Sequence, residues 1–311
     1  MKSAVVAVVG RTNAGKSTLV NRLVGEKVSI VSPVEQTTRN TVRGIVEDAR
    51  GQLVLLDTPG LHKAVGELGR LLNRMARRSA AGADILCVLF DASVLPQLED
   101  IGWMQRVAKE RPENVLFVLN KADKAPFYEA EYHEAWKEAN QVEDATTLDP
   151  SPLALGPKIK WVKAISVEDG GENDVLDALF EMAKEGERLF PEDIVSDYPR
   201  RLAIADTIRE KFLRHLHQEV PHELGICVKE IHENSGRWDV KAEVLVNRAS
   251  QKPIVIGKGA EIIKKARKAA ERELREIFDV KVVLELWVHV EPNWMKNKRI
   301  LAEMGYLGGE I

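Results

Sequence analysis

The chain has 311 residues, of which 44% are hydrophobic and 30% charged, and its net charge is −3. At roughly 150 residues per domain, that length suggests about two domains. No apolar run approaches the ~20 residues of a membrane span, and the N-terminus enters an apolar run without a secretory cleavage pattern, so membrane-spanning and secreted readings are set aside.

Residues 4–9 (AVVAVV) form a short continuous apolar run ending in glycine, the pattern of a strand buried on both faces of a parallel sheet. Similar runs recur at 53–56, 85–90, 115–119 and 161–165, with helix-length stretches at 16–25, 66–82, 97–111, 128–143 and 172–189 between them. Strands alternating with helices predict βαβ units and a mostly parallel sheet with helices on both faces. The alternation stops near residue 190. The segment 190–199 (FPEDIVSDYP) reads as a linker, and 145–157 as a Pro-rich loop inside the first domain.

Beyond the linker the order changes. An amphipathic helix is expected over 200–219, two strands over 225–232 and 238–247 around the turn NSGR, a charged helix over 260–278 and a third strand over 280–290. This is a smaller α+β domain. The expected organisation is therefore 1–189, a linker at 190–199, and 200–311. Charge follows the same division. From Asp197 onward there are 21 Lys and Arg against 18 Asp and Glu, a net of +3 against −6 for the remainder, which points the second part toward a polyanion. Cys87 and Cys227 lie far apart in apolar runs and read as buried, reduced thiols, favouring a reducing cytoplasmic setting.

Residues 10–17 (GRTNAGKS) match G-x-x-x-x-G-K-[ST] directly after a strand and before a helix. Gly10 and Gly15 let the backbone of Arg11, Thr12, Asn13 and Ala14 turn its N–H groups onto phosphate oxygens. Lys16 brings a point charge to the outer phosphates, Ser17 a hydroxyl to Mg²⁺, and the helix N-terminus at Lys16–Thr18 its dipole. DTPG at 57–60 follows a buried strand. Asp57 is positioned to hold Mg²⁺ through water, and Gly60, after Thr58 and Pro59, to sense the γ-phosphate through its N–H. NKAD at 120–123 follows another strand. The Asp123 carboxylate accepts two hydrogen bonds that guanine offers and adenine does not, Asn120 braces the loops, and the Lys121 stem covers the base. Thr37 and Thr38 lie in the polar loop 32–40. Thr38 is favoured as the threonine that completes Mg²⁺ coordination only when the γ-phosphate is present. The set implies GTP binding and hydrolysis. A P-loop kinase is disfavoured by NKAD and DTPG; an RNA-binding assembly protein with a static nucleotide is the remaining alternative.

With GRTNAGKSTLVNRLVG, QTTR at 36–39, DTPGLHK at 57–63 and NKAD, the chain resembles the translation-factor-related GTPases, in particular the Era family. The resemblance implies an α/β P-loop GTPase domain followed by a type II KH domain. It also implies a base contact after the last strand, where Ser166 is followed by Val167 in place of the family's alanine. Leu61 stands where many GTPases place a water-orienting glutamine, so slow intrinsic hydrolysis is expected. By the same resemblance Asn13 helps to bind K⁺ at the phosphates; the plainer reading is that it tightens the turn. Arg39 is a second source of charge unless it is only a solvated loop residue.

Residues 254–260 (IVIGKGA) lead into a helix, and Gly257 to Arg275 carries seven basic and three acidic residues. In a type II KH domain such a G-x-x-G loop clamps about four single-stranded nucleotides. Gly257, Lys258, Gly259 and Ala260 form the turn here, with Lys264, Lys265 and Lys268 extending it. Ala260 replaces the family's second glycine and is expected in helical geometry as the first residue of the helix. The resemblance further implies that the ligand is the 3′ end of 16S ribosomal RNA, that the process is 30S subunit assembly and rRNA maturation, and that the protein is a cytoplasmic monomer with a peripheral contact to the inner membrane.

Overall fold

The computed structural model describes residues 1–61, 66–144 and 158–307. These residues form two units. The first comprises Met1–Ser29, Thr38–Ala64 and Leu72–Asp197; the second comprises Ile30–Thr37, Val65–Leu71 and Tyr198–Ile311, in each case counting the described residues. The expected loop 145–157 lies outside the described residues.

In chain order the first unit holds β1 (Lys2–Val9), α1 (Lys16–Val24), β2 (Val42–Asp48), β3 (Gly51–Asp57), α2 (Gly66–Ala81), β4 (Ile85–Asp91), α3 (Leu98–Glu110), β5 (Asn114–Asn120), α4 (Glu129–Asp144), β6 (Lys158–Ala164), α5 (Asn173–Met182) and the two-residue β7 (Lys184–Glu185). The sheet order is β2-β3-β1-β4-β5-β6, with β7 on β1. β3, β1, β4, β5 and β6 run parallel. β2 is antiparallel to β3, and β7 is antiparallel to β1. Side chains alternate across a strand. Ala4, Val6 and Val8 of β1 therefore join one core with Leu19, Val20 and Leu179, while Ala7 and Val9 join the other with Trp103, Met104 and Tyr132. Every residue of β4 and β5 is buried. That burial on both faces fits the unbroken apolar runs, in which period-2 alternation is missing.

Two elements of the first unit depart from expectation, and in the second unit the helix expected over 200–219 ends at Leu213. β2 was not foreseen, because VRGIVED carries a glycine and three charges on an edge strand. The helix expected over 172–189 ends at Met182, where Ala183 takes an extended conformation and the chain returns as β7.

The second unit adds α6 (Arg200–Leu213), α7 (Val220–Glu223), β8 (Gly225–Asn234), β9 (Arg237–Val246), α8 (Gln251–Ile256), α9 (Glu261–Phe278), β10 (Lys281–Val290) and α10 (Lys298–Glu303). Its sheet order is β10-β9-β8, with β8 antiparallel and β10 parallel to β9. α6 and α9 pack against each other, α6 also on β8 and α9 also on β10. The core gathers Ile204, Ile208 and Phe212 with Ala266, Ala270 and Leu274 and the inward residues of the sheet. Also within this unit, the guanidinium of Arg209 donates to the carbonyls of Thr37 and Gln36 at 2.5 and 3.0 Å.

Candidate nucleotide site and glycine-lysine turn

The nucleotide site forms at the C-terminal ends of β1, β3, β4, β5 and β6, where a parallel sheet leaves loops free to converge. Gly15 caps α1 with φ 101°, and a Cβ there would run into the side-chain amide of Asn120. Its small size is thus set by the loop behind it as well as by any phosphate in front. The first turn of α1 contains no acidic residue, leaving the helix dipole unopposed at this end.

Lys16 is buried, with its Nζ donating to the Arg11 carbonyl at 2.7 Å. Burial pulls its pKa down to about 8, while the nearby Asp57 carboxylate pulls the other way. The Ser17 hydroxyl donates to Asp57 Oδ2 at 2.7 Å and lies 2.8 Å from the Thr38 hydroxyl. Asp57 is fully buried, and burial raises its pKa against the opposing effects of Ser17, Lys16 and Ser29. Three side-chain oxygens from three separate segments thus meet at one point. Thr37 faces elsewhere, its hydroxyl bound to the Val34 carbonyl at 2.5 Å.

Gly60 lies against the same loop. A Cβ at Gly60 would sit 2.8 Å from the Thr12 backbone and 2.9 Å from Lys16 Nζ. Leu61 donates its N–H to the Gly10 carbonyl at 3.0 Å and accepts from Thr12 at 3.2 Å, and its side chain packs on the aromatic core. Thr58 donates to the Val8 carbonyl, so its hydroxyl serves the sheet.

On the base side, Asn120 Nδ2 donates to the Ala14 carbonyl at 2.8 Å, and Asn120 Oδ1 accepts from both the N–H and the hydroxyl of Ser166 at 3.1 and 2.9 Å. Ser166 therefore works on the loop, and the exposed Val167 follows it at the rim. Lys121 Nζ donates to the Asn13 carbonyl at 3.2 Å. Asp123 is exposed. Asn13 is also exposed and has left-handed backbone at φ 61°. Arg39, read as either a second source of charge or a solvated loop residue, is buried, so the solvated reading does not hold.

Three buried groups were missed by sequence reasoning: Asp91, Asp100 and Tyr132. Arg11 turns its guanidinium toward the first two, 3.0 Å from Asp91 and 3.3 Å from Asp100. An aspartate closing an otherwise apolar strand (ILCVLFD) was the available signal.

In the second unit α8 leads into Gly257, and residues 258–260 make a tight turn before α9. Lys258 and Gly259 are exposed at its tip. Lys264 donates to the Gly259 carbonyl at 3.2 Å, Lys265 pairs with Glu261 at 2.5 Å, and Lys268 is exposed. Ala260 is not helical. It has φ 62° and ψ 30°, and α9 begins at Glu261. Its N–H donates to the Gly257 carbonyl at 3.0 Å, which holds the residue in a conformation an L-side chain disfavours by about 1–2 kcal/mol.

Comparison with known proteins finds a family match in each unit. Residues 5–121 match the 50S ribosome-binding GTPase family and residues 219–295 the KH domain family. GTPase Era of Treponema denticola is 37% identical over 98% of this chain and the whole of its own length. GTPase Era of Rippkaea orientalis is 34% identical over 98% of this chain and 92% of its own. The chain belongs to the Era GTPase family. Among solved structures, a point variant of Aquifex aeolicus Era bound to GDP and AlF₄⁻ superposes with a TM-score of 0.86 at 32% identity, covering 98% of this chain and 99% of that one. A second Era structure, in complex with MgGDPNP and nucleotides 1506–1542 of 16S ribosomal RNA, gives 0.84 at 32% identity with the same coverage. The protein is thus a GTPase, with a P-loop domain of mostly parallel sheet followed by a smaller KH domain, and the kinase alternative falls. No helix among the described residues is long and apolar enough to cross a membrane.

Proposed function

We propose that this Era-family GTPase is a GTP-driven switch that binds the 3′ region of 16S ribosomal RNA and assists 30S subunit assembly and rRNA maturation in the cytoplasm. The observation that carries the switch is the meeting of Ser17, Thr38 and Asp57. Thr38 sits in a loop and gains its reason to stay there from what lies between it and the phosphates. The RNA target is supported by the similar Era structure that holds 16S nucleotides and by the exposed Gly-Lys-Gly tip.

Two hydroxyls and a carboxylate are hard oxygen donors, and a buried carboxylate needs a cation, so the set fits Mg²⁺. Ser17 and Thr38 would ligate it, with Asp57 acting through water; when bound it neutralises charge on the outer phosphates. Lys16 supplies a second positive charge there. The Gly60 N–H reads the γ-phosphate, and any added side chain would press on Thr12 and Lys16. Asp123 and Val167 N–H take the base, with Asn120 and Ser166 holding their loops together. Leu61 is tied into the core and cannot orient water, so intrinsic turnover is slow. Asn13 supplies the place where K⁺ would add charge; equal turnover in sodium and potassium would leave it as a turn residue only.

Gly257 to Ala260 clamp the RNA backbone, with Lys258, Lys264 and Lys268 as phosphate partners, while Lys265 is already engaged by Glu261. The test is binding of a labelled 3′-terminal 16S oligonucleotide against a scrambled one of equal length. Selective binding is expected; equal affinity for both would remove the rRNA assignment and leave the GTPase standing.

A further inference from the structure

The residues that grip the nucleotide are themselves held by a buried ionic network, built from Asp91 at the end of β4, Asp100 in the first turn of α3 and Tyr132 on α4. Asp91 Oδ2 lies 3.0 Å from the Arg11 guanidinium and 2.6 Å from Lys121 Nζ, so one carboxylate oxygen meets a cation from the phosphate loop and a cation from the base-reading loop. Its Oδ1 accepts from Ser93 N–H at 3.2 Å and from the Ser93 hydroxyl at 2.5 Å. Asp100, fully buried, is 3.3 Å from Arg11 Nε and accepts the Gln97 N–H at 3.0 Å. Tyr132, also fully buried, points its hydroxyl at both the Asp91 carbonyl (3.0 Å) and the Asp100 carboxylate (3.2 Å).

Ion pairs on exposed surfaces contribute little, and a buried pair stabilises weakly against its desolvation. A network of this kind is therefore poorly explained by fold stability alone. Its geometry suggests a different task. Asn13 and Lys121, which meet through the Lys121 Nζ to Asn13 carbonyl bond, both have left-handed backbone, at φ 61° and 64°. Non-glycine residues persist there only when the surroundings over-determine them. Lys121 has two anchors, the Asn13 carbonyl and Asp91, and Asp91 is the charged one. Burial works to raise the Asp91 pKa, but the bonds from Lys121 and Ser93 outweigh it and hold the carboxyl below its usual range, so it remains an anion near neutral pH. Burial pushes the Asp100 pKa upward.

We infer that Asp91, supported by Asp100 and Tyr132, is a positioning residue that fixes Lys121 and Arg11 so that the phosphate loop and the base-reading loop form one pre-assembled nucleotide cradle. Asp91 touches no substrate in this scheme; it acts through Lys121. The inference rests on the reading of Lys121 as part of the base site, and the experiment separates the two.

Release of a fluorescent GDP analogue is measured in full-length wild type, Asp91→Asn, Lys121→Met and the double variant. Asp91→Asn keeps the side-chain shape and removes the charge. It is expected to speed release about tenfold alone and to add less than twofold in the Lys121→Met background, because coupled residues are non-additive. A full tenfold effect in both backgrounds, or release within twofold of wild type in the single variant, would overturn the inference. If Lys121→Met alone leaves release unchanged, the reading of the base site fails instead. Should Asp91→Asn not fold, Tyr132→Phe serves as the second variant. Release faster by a few-fold, lost in the Lys121→Met background, supports the positioning role, and unchanged release contradicts it.

Discussion

Two glycine-lysine turns open helices in this molecule, GRTNAGKS before α1 and GKGA before α9, and they are supported in opposite ways. In the first, Lys16 and Ala14 are buried and Gly15 abuts Asn120. Its Asn13 carbonyl is held by Lys121, and Arg11 sits between two carboxylates. In the second, Lys258 and Gly259 project from the surface, and an added Cβ at Gly259 would meet nothing within 4 Å. On the proposed reading the same residue types would serve two kinds of phosphate recognition. A small nucleotide would meet a loop whose supporting contacts are already formed, which spares ordering cost on association, and a single-stranded RNA, which brings its own flexibility, would meet an open tip.

The contrast orders the expected effects of substitution. Gly15→Ala places a side chain at φ 101° and against the Asn120 amide. Backbone strain and a broken buried hydrogen bond at about 1–3 kcal/mol each should lower nucleotide affinity on the order of 1000-fold, read by equilibrium titration with a fluorescent nucleotide. Gly259→Ala, at open φ 61°, should leave GTP affinity unchanged and affect only RNA binding. Next, Asp57→Asn removes the only carboxylate from the Ser17–Thr38–Asp57 group and should reduce kcat/KM on the order of 100-fold at fixed Mg²⁺, measured by phosphate release across a Mg²⁺ titration.

Smaller effects are expected at the open turn. Lys258→Ala and Lys268→Ala together should weaken RNA binding about tenfold and reduce the salt dependence by about one unit of slope per lost phosphate contact. Lys265→Ala, whose ammonium pairs with Glu261, should do much less. The mildest change is Ala260→Gly. Relief of left-handed strain, offset by glycine's greater chain entropy, should stabilise the second unit by about 0.5–1 kcal/mol, read by denaturant unfolding of the full chain. A loss of stability there would mean that the αL conformation of Ala260 is not the strained feature described above.

Much of the phosphate site was readable because its chemistry is local in sequence. GRTNAGKS, DTPG and NKAD are each read from four to eight consecutive residues, and each follows an apolar run that the sheet largely buries. The Thr38 hydroxyl lies beside Ser17, whereas the Thr37 hydroxyl is bound to the Val34 carbonyl. What escaped was non-local. Asp91, Asp100 and Tyr132 come from β4, α3 and α4, and no spacing rule links them to Arg11. The edge strand β2 escaped because its pairing with β3, and not its own pattern, makes it a strand. The short α8 at Gln251–Ile256, ahead of the glycine turn, was not foreseen either. Ala260 was assigned to a helix because alanine favours helices; the turn closing onto Gly257 overrides that preference.

The most direct test is the affinity of the full-length protein for the labelled 3′-terminal 16S oligonucleotide, measured side by side in complex with a non-hydrolysable GTP analogue and with GDP. A switch that couples the two sites must bind RNA more tightly in one nucleotide state, and reciprocally hold that nucleotide more tightly with RNA present. The expected result is at least about fivefold tighter RNA binding with the GTP analogue. Equal affinity in the two states would contradict the switch and leave a GTPase and an RNA-binding domain joined in one chain without communication.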